Sequence, residues 1–187
     1  MLPIYVINNF GQFNHLIHRA LRDMEIEVTL VPNNTPVPDV REGCRGIILG
    51  GGPTMDRSGN CSEYLDLGLP VLGICLGLHI IATKFGGAVR PGHSGGYGPV
   101  EIEISEYDEI LKGYPSHINV WASHADEVSE IPDGFMRLAY SSICMNEAIA
   151  SPDRHIYGVQ WHPEVSHTFE GKRMFENFDR ITREEGQ

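Results

Sequence analysis

Apolar residues recur along this chain at two spacings. Compact runs rich in Ile, Val and Leu cover 4–7, 26–31, 46–49 and 70–74, each of strand length. After the first run, Leu16, Ile17, Ala20, Leu21 and Met24 fall at the three- and four-residue spacing of one helix face. Further helices are expected over 62–67 and 76–85, the latter closed by Gly86 and Gly87. The stretch 33–38, rich in Asn and Pro, reads as a turn. Strand–helix alternation of this kind predicts a parallel sheet with helices on both faces. Beyond residue 99 the pattern changes. Val100, Ile102 and Ile104 alternate with Glu101 and Glu103, as in a strand with one wet face, and short runs follow at 118–122, 136–140, 147–150 and 156–160. Turns rather than helices separate them, which predicts some antiparallel pairing. Met174, Phe175, Phe178 and Ile181 form the inner stripe of a closing helix. With no repeat, low-complexity tract or linker, the expectation is one α/β domain over 1–187, its central sheet mainly parallel.

Composition narrows the function classes. The formal net charge is −11, with acidic residues spread along the chain, a surface that repels phosphate backbones; no nucleic-acid partner is expected. No apolar run approaches the roughly 20 residues of a membrane span, so no membrane role is expected. The N-terminus, MLPIYVINN, has no basic region ahead of its apolar stretch and reads as a first strand rather than a signal peptide, which makes the cytoplasm the expected location. The four cysteines, Cys44, Cys61, Cys75 and Cys144, form no CxxC pair and no zinc-like cluster with histidine, so no metal site is expected.

Candidate chemistry begins at Gly73-Ile74-Cys75-Leu76-Gly77, where a buried strand runs straight into a helix. A cysteine between two glycines at such a junction has the logic of a nucleophile elbow: the turn is sharp, its neighbours must be small, and the thiol projects from the end of the sheet. The N-terminus of the following helix favours the thiolate, and its free N–H groups can stabilise an oxyanion. The competing reading is a buried structural cysteine beside glycines that merely permit packing. A nucleophile needs a base and a group to orient that base. Gly158-Val159-Gln160-Trp161-His162-Pro163-Glu164 supplies a candidate pair: a strand ends in His162, and Glu164 follows across a proline that fixes the backbone between them. A histidine after a strand also reads as a surface or capping residue, and the other eight histidines take that reading. Gly50, Gly51 and Gly52 read as a tight turn, since no Gly-Lys-Ser/Thr follows to make a phosphate loop.

Together, Gly73-Ile74-Cys75-Leu76-Gly77 and Gly158-Val159-Gln160-Trp161-His162-Pro163-Glu164 resemble the class I glutamine amidotransferases over essentially the whole chain. Ile47-Ile48-Leu49-Gly50-Gly51-Gly52-Pro53, Trp121-Ala122-Ser123-His124-Ala125-Asp126-Glu127-Val128 and His162-Pro163-Glu164-Val165-Ser166-His167-Thr168 resemble the branch that releases ammonia for two-subunit, archaeal-type GMP synthetase. The resemblance implies a flavodoxin-like fold, a catalytic triad of Cys75, His162 and Glu164, and an oxyanion hole from the backbone N–H groups of Gly52 and Leu76. It implies glutamine as substrate, held in part by His79 and by the backbone at Ala125 and Asp126. The family commonly has glutamine where this chain has His79. No cofactor is implied for this chain; ATP and Mg are expected on an ATP-pyrophosphatase partner that aminates XMP. An amidotransferase subunit for another acceptor, such as anthranilate or aminodeoxychorismate synthesis, a stand-alone γ-glutamyl hydrolase and a non-catalytic regulatory homologue remain open at this point.

Overall fold

A computed structural model of the chain describes residues 1–184. Five parallel strands form one half of a nine-stranded sheet: β1 (Ile4–Asn8), β2 (Val28–Pro32), β3 (Gly46–Leu49), β4 (Val71–Ile74) and β9 (Ile156–Val159). Four antiparallel strands, β5 (Ala88–Ile104), β6 (His117–Glu130), β7 (Met136–Ser141) and β8 (Ala148–Ser151), extend it. The order is β2-β1-β3-β4-β9-β8-β7-β5-β6, so β9 is the strand at which the sheet changes from parallel to antiparallel. The expected combination of parallel and antiparallel strands is present, with the antiparallel extension as wide in pairings as the parallel half.

Period-two alternation divides the parallel strands between two cores. Ile4, Val6, Ile48, Leu72 and Ile74 face α1 (Asn14–Asp23) and α5 (Gly171–Glu184), packing with Ile17, Leu21, Met174, Phe175, Phe178 and Ile181. Ile7, Ile47, Leu49 and Val71 face the other way. They pack on α2 (Val37–Gly43), α3 (Cys61–Tyr64) and α4 (Leu76–Lys84) through Val40, Tyr64, Ile80 and Ile81. The inner stripe read for the last helix is present as expected, and α4, buried almost all round, carries the apolar sequence such a position demands.

Three local expectations differ from the structure. Residues 37 and 38, read as turn, open α2: Pro36 caps it and Pro38 sits in its first turn, where a missing N–H costs nothing. The helix expected over 62–67 is the shorter α3, and β2 begins two residues later than expected. Strands β5 and β6 are far longer than the runs at 100–104 and 118–122 suggested. Their extra length forms a hairpin arm in which Tyr97 pairs with Ser123 and Gly96 with His124, with a register shift between Pro91 and Gly96. The glycines and the two prolines of this arm, Pro91 and Pro99, hide the strand pattern, and Ser123 to Asp126 border a cavity rather than the apolar core.

Phe178 is fully buried between α5 and the sheet. Phe178→Ala is expected to lower the unfolding free energy by about 3–5 kcal/mol, measured as a shift of the urea midpoint at constant slope.

Candidate active site

The turn from β4 into α4 fixes Cys75 in an unusual conformation. Its backbone lies at φ 55° and ψ −105°, a region that costs an L-residue roughly 1–3 kcal/mol. The conformation is held because the surrounding backbone leaves no alternative. The Cys75 N–H donates to the Val159 carbonyl at 2.9 Å, continuing the β4–β9 ladder through the strained residue. A Cβ on Gly73 would stand 2.6 Å from the backbone of Gly77, and one on Gly77 would collide with Leu49. The two glycines are therefore steric requirements of the strand–helix approach. Leu76 opens the helix, so its N–H has no carbonyl one turn back to bond.

His162 reaches Cys75 from the neighbouring strand, just beyond the end of β9. Its N–H donates to the Trp121 carbonyl at 2.9 Å, while the Thr168 hydroxyl donates to its carbonyl at 2.7 Å and accepts from the Trp121 N–H at 3.0 Å. Its Nδ1 meets Glu164 Oε1 at 2.6 Å, and Phe13 packs edge-on against the ring at 5.0 Å. A Cβ on Gly51 would lie 3.5 Å from His162 Cε1 and 3.9 Å from Cys75 Cβ, so this glycine sits against both residues. The Glu164 side chain is buried, and Oε1 carries its hydrogen bond to His162. Burial pushes the His162 imidazole down, but its hydrogen bonds to Cys75 and Glu164 and their charges outweigh this and raise it to about 10. At neutral pH His162 is an imidazolium placed against the Cys75 sulfur, the electrostatic setting of a reactive cysteine.

Two cavities meet at Cys75. One of about 240 Å³ has His162, Gly51, Phe13 and Asn14 in its wall. The other, of about 330 Å³, is lined by Gly52, Leu76, His79, Ala125 and Asp126 together with Cys75. All five residues expected to contact substrate thus share one cavity with the nucleophile, although they come from three separate segments of the chain. Gln12, Gly52, Pro53 and Ser123 border both cavities. His79 is nearly buried, and its Nε2 lies 2.8 Å from Gln160 Oε1. Burial holds its imidazole below the ordinary value, with the Gln160 hydrogen bond and the Asp126 charge opposing. His124 is also depressed, first by burial, and its Nδ1 donates to the Asp126 carbonyl at 2.9 Å.

The sequence reading missed Gln160, Ser123 and Phe13. Gln160 is completely buried and places its Nε2 3.8 Å from Cys75 Sγ, and the Ser123 carbonyl lies 3.7 Å from the same sulfur. A polar residue ending an otherwise apolar strand run was the available signal for Gln160. The other thiols are held protonated: burial pushes Cys44 up to about 11 and Cys61 and Cys144 up to about 12. Among the described residues no group of three His, Cys, Asp or Glu could hold a metal ion, and no helix is long and apolar enough to cross a membrane.

The raised imidazole gives a linkage prediction. Because the folded value of about 10 exceeds the ordinary 6.5, the stability it contributes is complete below about pH 6.5 and is lost as pH rises through 10. Glu164→Gln removes one cause of the shift. The stability gap between wild type and this variant, measured by urea unfolding across that window, should narrow as pH rises; a gap independent of pH contradicts the assignment.

Comparison with known proteins places the chain in a family. The family profile described as "Glutamine amidotransferase class-I" matches residues 5–181. The chain is 67% identical over 184 residues to a glutamine-hydrolysing GMP synthase subunit of Methanoculleus marisnigri, covering 98% of this chain and 100% of that one. It is equally similar, with the same coverage, to the protein of that name from Methanoregula boonei. The crystal structure of a GMP synthase subunit from Thermoplasma acidophilum superposes with a TM-score of 0.95 at 35% identity, covering 100% of this chain and 96% of that chain. A glutamine amidotransferase from Thermotoga maritima shares the fold, with a TM-score of 0.74 at 19% identity over 98% of this chain and 83% of that chain. With a matched profile spanning nearly its full length and relatives this similar over their full lengths, the chain belongs to the class-I glutamine amidotransferase family.

Proposed function

We propose that this protein hydrolyses glutamine to glutamate and ammonia, and that the ammonia serves an ATP-pyrophosphatase partner that aminates XMP to GMP. The observation that carries the first half is the position of Cys75. It stands on a strained turn with His162 and Glu164 on one side and a cavity lined by the five expected substrate positions on the other. The second half rests on relatives that match the chain from end to end and are named as one subunit of a glutamine-hydrolysing GMP synthase.

The chemistry follows from the geometry. Cys75 Sγ attacks the side-chain carbonyl carbon of glutamine, and the oxygen takes up the negative charge. The N–H groups of Gly52 and Leu76 receive that oxyanion, since both residues line the cavity beside the sulfur. His162, protonated at the outset, donates its proton to the departing nitrogen, and ammonia leaves with the C–N bond electrons. Formation of the thioester removes the thiolate, one of the groups that raised the imidazole. The ring is then more ready to accept a proton from the hydrolytic water, whose oxygen attacks the thioester and releases glutamate, leaving the Cys75 thiolate and the protonated His162 as they began. Glu164 keeps Nδ1 protonated throughout, leaving Nε2 to exchange the proton. ATP and Mg belong, on this reading, to the partner.

Two measurements test the proposal. Cys75→Ala should reduce glutamate formation to below a few per cent of wild type. Cys44→Ala, Cys61→Ala and Cys144→Ala should retain most of it, because burial keeps those thiols protonated. Activity surviving in the Cys75 variant contradicts the covalent route. Glutamate production should also rise about 5- to 150-fold when the pyrophosphatase partner, ATP and XMP are added, corresponding to a coupling of roughly 1–3 kcal/mol. Equal rates with and without partner would instead identify a stand-alone γ-glutamyl hydrolase.

A further inference from the structure

Gln160 has no part in the triad, yet among the described residues its side chain is the only amide whose N–H is directed at the nucleophile. Its position is determined on every side. The backbone N–H donates to the Glu147 carbonyl at 2.7 Å, and the residue directly follows β9, whose Val159 accepts from Cys75. Its Oε1 lies 2.8 Å from His79 Nε2, and its Nε2 lies 3.8 Å from Cys75 Sγ. His79 is placed by α4 itself: four residues after Cys75, it donates its N–H to the Cys75 carbonyl at 3.3 Å. Cys75, His79 and Gln160 thus close a ring of contacts beneath the sulfur, all three of them buried.

The donor and acceptor roles in this ring are constrained. An amide oxygen only accepts, so the short contact requires a proton on His79 Nε2. With Oε1 held by His79, the NH₂ group is left to point at Cys75, and a donor aimed at sulfur favours the anion over the neutral thiol. The reverse orientation would bring a carbonyl dipole against a developing thiolate.

We infer that Gln160 is a positioning residue for the nucleophile: its amide N–H stabilises the Cys75 thiolate, and His79 holds the other end of that amide. This assigns His79 a task beyond lining the glutamine cavity, and it rests on the reading of Cys75 as the reactive thiol. The titratable groups around the ring are His162 with Glu164 behind it, reaching from beyond β9, and His124 and Asp126 from β6. None of these is changed by substituting Gln160.

The test is the rate of Cys75 alkylation by iodoacetamide as a function of pH, followed by peptide mass spectrometry on the full chain, so that it needs no turnover. In Gln160→Met, which keeps the volume and removes the donor, alkylation at neutral pH should fall about tenfold and its half-maximal pH should rise, the loss expected for one hydrogen bond to a charged group. Gln160→Glu, which sets a carboxylate beside the sulfur, should move the profile further in the same direction. His79→Gln supplies another N–H to Gln160 Oε1 and should keep an alkylation profile close to wild type, whereas His79→Leu should shift it as Gln160→Met does. Glutaminase kinetics should show the loss in kcat with KM little changed. An unchanged alkylation profile in both Gln160 variants overturns the inference while leaving the proposed function standing. A wild-type Cys75 no more reactive than Cys44 or Cys144 overturns both.

Discussion

The arrangement depends on one steric constraint, the approach of α4 to the end of β4. The two elements come so close that neither Gly73 nor Gly77 has room for a methyl group, and the residue between them is forced to positive φ. A turn of this kind costs a few kcal/mol, and the core on both sides of the sheet offsets it: Val71, Ile80 and Ile81 on one face, Leu72 and Ile74 on the other. What the strain supplies is placement. The thiol stands at the carboxyl end of a central strand, at the mouth of the parallel half, with the first free N–H groups of a helix beside it. Relaxing the turn would move the sulfur away from His162, which is fixed independently by Trp121 and Thr168.

The same constraint sets one cysteine of four in a different electrostatic setting from the others. Burial keeps Cys44, Cys61 and Cys144 neutral, with the Glu147 charge adding to it at Cys144, whereas Cys75 is near-buried but faces an imidazolium. His162 is charged because the Glu164 carboxylate is buried with it and accepts its Nδ1 proton in a short hydrogen bond. The site therefore contains its own separated charges before substrate arrives, and the short hydrogen bond between His162 and Glu164 offsets part of the cost of desolvating them.

Much of this was legible in the chain, and the reasons are specific. Glycines two residues either side of a cysteine at a strand–helix junction have a steric meaning that survives without a structure, and His162-Pro163-Glu164 is a local unit whose geometry proline restricts. The core stripes of α1 and α5 were equally plain, because a one-sided helix must show its period. Other features were beyond reach. Cys75 and Gln160 are 85 positions apart, and only the parallel pairing of β4 with β9 brings them together. Without that pairing Gln160 is one polar residue among many. The hairpin arm of β5 and β6 was obscured by its glycines, and its polar residues line a cavity where strand patterning predicts either core or solvent. The prolines around α2 read as turn because helix starts and turns use the same residue there.

The central claim is that Cys75 is the covalent nucleophile toward a glutamine side chain, and trapping that bond tests it most directly. The chain would be incubated with a glutamine analogue carrying an electrophile in place of the amide, then weighed intact and mapped by peptide mass spectrometry. One adduct per chain, on the peptide holding Cys75 and suppressed by excess glutamine, is the predicted result. Labelling at Cys44, Cys61 or Cys144, or no adduct under conditions where glutamine is hydrolysed, would contradict the account.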